Sequence, residues 1–213
     1  MMRFIVARHA ETVFNAAARM QGQTAHTPLT RTGIAQAEAI GEALARIIAV
    51  ADPIDLWASP AGRTLQTAAI VAEHLGRDFF AIRTDPRLLE INVGDWQGRL
   101  YADVVAEQGE IVDRARRLFS VKPPNGETYA EIEVRLRSWL ADLAPDRDVL
   151  VISHGMTLRV LRGLLAGGEE FAGTTIADDA LQGTIFQVQD GLQTILHHGR
   201  TTPHRATGDA LVG

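Results

Sequence analysis

Asp148-Val149-Leu150-Val151-Ile152-Ser153-His154-Gly155 decides how the chain reads. Four consecutive aliphatic residues flanked by polar ones match a strand buried on both faces of a parallel sheet. Ser153-His154-Gly155 turns that strand into a helical segment with Leu158, Leu161 and Leu165 on one face.

Working outward, the same alternation of short β-rich and longer helical runs recurs. Thr128-Tyr129-Ala130-Glu131 has capping-box spacing and opens a helix that buries Ile132, Leu136, Trp139, Leu140 and Leu143 before Pro145 ends it. Arg3–Ala7 reads as a strand centred on Phe4-Ile5-Val6. Thr30 starts a helix whose apolar positions Ile34, Ala37, Ile40, Leu44 and Ile47 recur at spacings of three and four. Ile54–Ala58 is a further strand, after which Ser59-Pro60 suggests a helix start and Gly76 a stop after Leu75. Another strand is expected around Phe79–Arg83, and Asp190-Gly191 signals a closing hairpin. Weak periodicity over about 86–124 reads as a small cap-like insertion over one end of the sheet. The expected architecture is α/β: a three-layer α/β/α sandwich on a mostly parallel sheet. It forms one domain over 1–198, with an irregular polar tail at 199–213.

Composition excludes several classes. Among 213 residues, 46% are hydrophobic and 22% charged, enough apolar material for a core without staples. With no cysteine there is no disulfide, cysteine nucleophile or thiolate metal site. The apolar run at the N-terminus is interrupted by Arg8 and is too short for a signal core, and no stretch reaches the roughly 20 apolar residues of a membrane span. A soluble cytoplasmic protein without membrane association is expected. A net charge of −5 gives no electrostatic support for nucleic-acid binding. Lys122 is the only lysine beside many arginines, a plain compositional bias, although arginine is also the side chain best shaped for phosphate.

The polar residues at strand ends carry the chemistry. Arg8-His9 follows one strand, Ser153-His154-Gly155 another, and Ser59-Pro60 with Arg63 a third. Open parallel sheets bind ligands at the carboxyl ends of their strands. His, Arg, Arg and His delivered to one rim, beside helix N-termini, make a cationic pocket fit for a phosphoryl group. Singly, each residue has a plainer reading. A lone strand-end histidine is commonly structural, Arg63 could be a solvated helix residue, and Glu90 in Leu88-Leu89-Glu90-Ile91 could be a salt-bridge partner.

In combination they resemble the histidine phosphatase superfamily, the phosphoglycerate mutases and their phosphatase relatives. Ala7-Arg8-His9-Ala10-Glu11-Thr12, with Asn15, is similar to the family signature. Gln21-Gly22, Pro28-Leu29-Thr30 and Gly33-Ile34-Ala35-Gln36-Ala37 resemble its next block, and Ser59-Pro60-Ala61-Gly62-Arg63-Thr64-Leu65-Gln66-Thr67-Ala68 its second arginine segment. Leu89-Glu90-Ile91 through Gly94-Asp95-Trp96-Gln97-Gly98 resembles the acid-bearing segment. Pro124-Asn125-Gly126-Glu127-Thr128 and Val151-Ile152-Ser153-His154-Gly155-Met156 complete the ordered set from Arg3 to about Leu165. Ala10 stands where the family frequently has glycine, and Gln182-Gly183-Thr184 where relatives often carry an Asn-x-Ser type segment.

The resemblance implies a phosphomonoester hydrolase working through a phosphohistidine on His9. Arg8 and Arg63 would hold the phosphoryl group, His154 would be a proton-bearing phosphate ligand, and Glu90 would be general acid and later base. Asn15, Gln21 and Gly155 would line the substrate, a small phosphomonoester; no metal or other cofactor is expected, and oligomerisation stays open. Ile91 through Gly98 looks like the phosphatase branch. The alternatives are a cofactor-dependent phosphoglycerate mutase and a non-catalytic phosphate-sensing module. A metal site on the two histidines and Glu90 is disfavoured, because Arg8 and Arg63 would repel the ion.

Overall fold

Alternation along two neighbouring strands sorts the core into two layers. Phe4, Val6, Val149 and Val151 join one apolar cluster; Ile5, Ala7, Leu150 and Ile152 join another. Successive strand residues point to opposite faces, so both faces of this sheet must be covered. The computed structural model describes residues 2–199; the expected tail from 200 onward lies outside the described residues.

The strands and helices are β1 (Phe4–Arg8), α1 (Val13–Ala16), α2 (Arg31–Ala45), β2 (Ile54–Ala58), α3 (Gly62–His74) and β3 (Arg83–Thr84), followed by α4 (Tyr101–Gln108), β4 (Val112–Asp113), β5 (Leu118–Phe119), α5 (Tyr129–Ala141) and β6 (Asp148–Ser153). The chain continues through α6 (Gly155–Ala166), β7 (Glu169–Phe171), β8 (Thr174–Ile176), β9 (Ile185–Gln189) and β10 (Leu192–His197). The six-stranded sheet runs β10-β9-β1-β6-β2-β3. β1, β6, β2 and β3 are parallel, and the β9–β10 hairpin adds antiparallel strands at one edge. Apolar residues of α2 and α3 join the cluster on one face, and those of α5 and α6 the cluster on the other. This is the expected α/β/α layering. Each fully buried Leu, Ile or Val contributes about 1.5–3 kcal/mol.

Local signals set the helix starts. Thr30 accepts from the Gly33 N–H at 2.9 Å, and Thr128 with Glu131 forms the capping box of α5. Gly76 has φ +61°, which a side chain would resist, so α3 stops there as expected. Asp190 and Gly191 both have positive φ, as a two-residue hairpin turn requires.

Three expectations need correction. The strand expected around Phe79–Arg83 is a 3₁₀ turn over Phe79–Ala81 followed by the two-residue β3. Asp78 accepts from the Phe80 N–H at 2.9 Å and draws the backbone out of extension. Helix α3 starts at Gly62, not after Ser59, because the Ser59 N–H extends the sheet by bonding the Ile152 carbonyl at 3.1 Å. Ile34 is exposed and Ile47 lies beyond the end of α2, so the buried stripe there is narrower than the periodicity suggested.

Residues 86–124 hold two 3₁₀ turns, α4 and the β4–β5 hairpin. Leu88, Ile91, Val93, Trp96, Leu118 and Phe119 pack in the same cluster as the sheet residues Phe4 and Val6. The segment is anchored to the core on the α5–α6 face of the sheet, and its Leu88 carbonyl accepts from Ser153 Oγ at 2.7 Å at the end of β6.

Candidate active site

β1, β6 and β2 are adjacent and parallel, so their carboxyl ends lie side by side. Arg8 is in register with Ser153, and Ala58 with Ile152. One further bond past the ladder, from the His9 N–H to the Ser153 carbonyl at 2.9 Å, fixes His9 beside His154. The two imidazole centroids are 5.3 Å apart. The sequence-predicted histidines and arginines thus meet at one rim.

His9 is fully buried. Its Nδ1 lies 2.8 Å from the Ala10 carbonyl, which can only accept, so the proton sits on Nδ1 and Nε2 keeps a lone pair. Nε2 is buried with no hydrogen-bond partner. Burial, then the charges of Arg63 and Arg8, push His9 well below its ordinary value, while the Ala10 bond pulls weakly the other way. The ring is therefore neutral and nucleophilic at neutral pH. The Ala10 N–H donates to Thr67 Oγ1 at 3.1 Å, and Gln182 Nε2 donates to the His9 carbonyl at 2.9 Å.

His154 takes the opposite tautomer. Arg63 Nε, which can only donate, reaches its Nδ1 at 3.2 Å, so the proton of the neutral ring lies on Nε2 and faces Ser59 Oγ at 2.7 Å. Burial first, then Arg63, His9, Arg135 and Arg8, push His154 well below its ordinary value too.

The two arginines are bound differently. Arg63 also donates from Nη1 to the Thr24 carbonyl and Thr27 Oγ1, and from Nη2 to the Gly22 carbonyl. With the bond to His154 that makes four bonds, so one of its five N–H groups is left. Burial lowers Arg63 to about 10, opposed by the charge of Glu90. Arg8 is less committed: its Nε is buried without a partner. Burial lowers Arg8 as well, against the supporting charges of Asp179 and Glu90.

Glu90 is fully buried at the N-terminus of α6. Its Oε1 accepts from the Ile91 and Thr157 N–H groups at 2.9 and 3.1 Å, and Oε2 from Met156 at 3.3 Å. Gly155 opens α6, and a methyl group there would lie 3.4 Å from Arg8 Nε and Cζ. Gln21 is buried; its carbonyl accepts from Thr12 Oγ1 at 2.8 Å, and its Nε2 has no partner. Asn15 is half-buried, and its side-chain carbonyl accepts from the Thr12 N–H at 3.0 Å in the capping box of α1.

Several participants were not legible. Ser59, read as a helix cap, meets His154. Gln182, in a segment given no role, holds the His9 carbonyl. Arg135 pairs with Glu127 at 2.8 Å and reaches Thr157 Oγ1 at 3.3 Å, behind Glu90. Only Gln182 carried a signal, its place where relatives bear Asn-x-Ser.

Chemically, one unpartnered donor (Arg8 Nε) and one lone pair (His9 Nε2) lie at the end of one strand beside Arg63, and Gln21 Nε2 is a further buried donor without a partner. Buried polar atoms are rarely left so. Phosphate oxygens match the donors and phosphorus matches the lone pair. Among the described residues, no three His, Cys, Asp or Glu side chains converge as a metal-binding group.

The chain is similar to known proteins over most of its length. The model of the Histidine phosphatase superfamily (branch 1) matches residues 4–201. Glucosyl-3-phosphoglycerate phosphatase of Mycobacterium tuberculosis is 30% identical over 174 residues, 76% of this chain and 74% of that protein. Probable phosphoglycerate mutase GpmB of Enterobacter sp. is 35% identical over 177 residues, 81% and 78% of the two chains. Among solved structures, mycobacterial glucosyl-3-phosphoglycerate phosphatase in complex with VO3 superposes with a TM-score of 0.71 at 25% identity, covering 92% of this chain and 97% of that one. A putative alpha-ribazole-5'-P phosphatase from Escherichia coli gives 0.66 at 26% identity, covering 97% and 98%. The chain belongs to the histidine phosphatase superfamily, branch 1.

Proposed function

We propose that this histidine phosphatase hydrolyses small phosphomonoesters in two in-line transfers through a phosphohistidine on His9. His9 Nε2 attacks phosphorus, the ester P–O bond breaks, and its electron pair leaves on the alcohol oxygen, which takes a proton from Glu90. Glu90 then removes a proton from water; the water oxygen attacks phosphorus, the N–P bond breaks, and orthophosphate leaves with His9 restored. Arg8, Arg63 and Gln21 stabilise the phosphoryl oxygens as charge develops, His154 joins them when its Nε2 proton turns from Ser59 Oγ to the phosphate, and Asn15 and Gly155 line the substrate.

The observation that carries this reading is the neutral, partnerless Nε2 of His9 beside buried Arg63 and half-buried Arg8. An imidazole lone pair held next to fixed cations suits attack on a phosphate whose own negative charge those cations offset. The net charge of −5 favours a small-molecule substrate over nucleic acid, and no helix among the described residues is long and apolar enough to cross a membrane. Cytoplasmic action fits that reading.

Incubation with a turned-over phosphoester should leave acid-labile, base-stable phosphate on His9. His9→Ala should lose both label and phosphate release. Full activity in that variant overturns the mechanism, and efficient 2,3-bisphosphoglycerate-dependent mutase turnover overturns the hydrolase assignment.

A further inference from the structure

Five arginines lie in segment 86–124; Arg87 pairs with Asp85 and Asp142, and the other four each meet a carboxylate as well. Arg99 pairs with Glu107, Arg114 with Glu110 at 2.7 Å, Arg116 with Glu169 at 3.5 Å and Arg117 with Asp179 at 3.0 Å. The Arg99 and Arg114 pairs are local and exposed, where ion pairs contribute little. The Arg117–Asp179 pair is built differently.

Arg159, on α6, is buried and donates from Nη1 and Nη2 to the Arg117 and Arg116 carbonyls at 2.7 and 2.8 Å, and from Nε to the Ala177 carbonyl at 2.9 Å. Arg162, also buried, holds the Asp178 carbonyl at 2.7 Å. Both partners of the pair are therefore carried on backbone pinned to the same helix. Arg117 is further constrained by its φ of 55°, unusual for a residue with a side chain.

The location matters for substrate. Asp179 lines a small cavity of about 30 Å³ together with Arg8, Gly155, Arg159 and Arg162. Asp179 is the charge that most supports the half-buried Arg8 guanidinium, and Arg117 opposes it. Resting on the hydrolase reading, we propose that Asp179 is a specificity residue: it occupies Arg117 from within and so disfavours phosphomonoesters that carry a second anionic group close to the ester. A second anion would have to displace a pinned carboxylate from Arg117 and would face that carboxylate's repulsion. Selectivity of this kind, by opposing the unwanted ligand, is a common device.

Glycerol 3-phosphate and 3-phosphoglycerate are a matched test pair, sharing a three-carbon skeleton and differing in one carboxylate. Their dissociation constants are measured by calorimetry in a His9→Ala background, which needs no turnover; phosphate release by the parent enzyme tests the hydrolase reading separately. Asp179→Asn should shift the ratio of the two constants toward 3-phosphoglycerate by about tenfold. Asp179→Ser, which cannot refill the carboxylate's place, should shift it in the same direction if Asn fails to fold. Arg117→Gln alone should move the ratio away from 3-phosphoglycerate, since it leaves the Asp179 carboxylate unpaired, and Arg117→Gln with Asp179→Asn should keep only part of the shift seen in Asp179→Asn. An unshifted ratio in both Asp179 variants, a shift of undiminished size after loss of Arg117, or a shift toward 3-phosphoglycerate in Arg117→Gln alone overturns the proposal. So does failure of 3-phosphoglycerate to bind either Asp179 variant at millimolar concentration.

Discussion

His9 needs a fixed tautomer, a neutral ring and a fixed position, and separate neighbours supply each. The Ala10 carbonyl sets the tautomer, burial beside Arg63 and Arg8 keeps the ring neutral, and two backbone bonds fix the position. The bond from Gln182 is a side-chain bond and can be removed alone. Gln182→Met keeps the length but loses the donor; misplacing the nucleophile slightly should slow phosphorylation of His9 about tenfold to a hundredfold while KM changes little. Pre-steady-state phosphorylation on a nitrophenyl ester measures this directly. Equal losses in KM and no change in the phosphorylation rate would mean that Gln182 only supports the loop. The sequence announced His9 only in combination, because a lone strand-end histidine is commonly structural and it is the ordered set of motifs from Arg3 to about Leu165 that singles it out. Gln182 lies 173 positions away, and only the pairing of β9 with β1 brings its loop there.

At the scale of elements, the order β1-β6-β2 turns three separate strand ends into one site. β1 and β6 were legible because burial on both faces leaves an uninterrupted apolar run, whereas β2 carries Asp55 within it and was marked by the Ser59-Pro60 that follows. Boundaries governed by side-chain bonds were not. Ser59 has the local look of a cap, yet its hydroxyl faces His154, and Asp78 closes a turn where an apolar run suggested a strand. The segment over 86–124 resisted reading because its apolar residues follow 3₁₀ turns and short strands, which impose no single period. Glu90 comes from that segment and sits on the N-terminus of α6, where a negative charge meets the helix dipole. Glu90→Gln should therefore have two effects. Stability should fall by about 1–3 kcal/mol, because the amide turns a donor toward buried backbone N–H groups at the helix terminus, read by denaturant unfolding. Hydrolysis of an alkyl phosphate should fall about 10²–10⁴-fold. Hydrolysis of a nitrophenyl ester should fall far less, because that leaving group is stable as an anion. Equal losses on both esters, with phosphorylation limiting each, would sink the acid role of Glu90.

For the whole molecule, the site is a store of buried groups that resist protonation. His9 and His154 are both pushed well below their ordinary value of 6.5, chiefly by burial and then by Arg63. The unfolded chain therefore takes up protons on these histidines at a higher pH than the native one does. Stability rises with pH through the window from the lowered native values up to 6.5, is fully present above it, and is lost as the pH falls through it. Carboxylates act in a separate range: Asp85 is lowered from 3.8 by Arg87 and Glu131 from 4.5 by the Thr128 N–H, so their share is lost only in more acidic solution. Thermal unfolding followed from about pH 5 to 8 should show a midpoint that climbs toward 6.5 and then levels. Replacing both histidines by alanine should flatten the climb above the carboxylate range, whatever the replacements do to absolute stability. The acid limb of kcat/KM should also lie below 6.5, because protonating His9 removes the attacking lone pair. A climb that persists unchanged in the double variant would place the proton uptake elsewhere. An acid limb above 6.5 would show that His9 is not held neutral by its burial between the arginines.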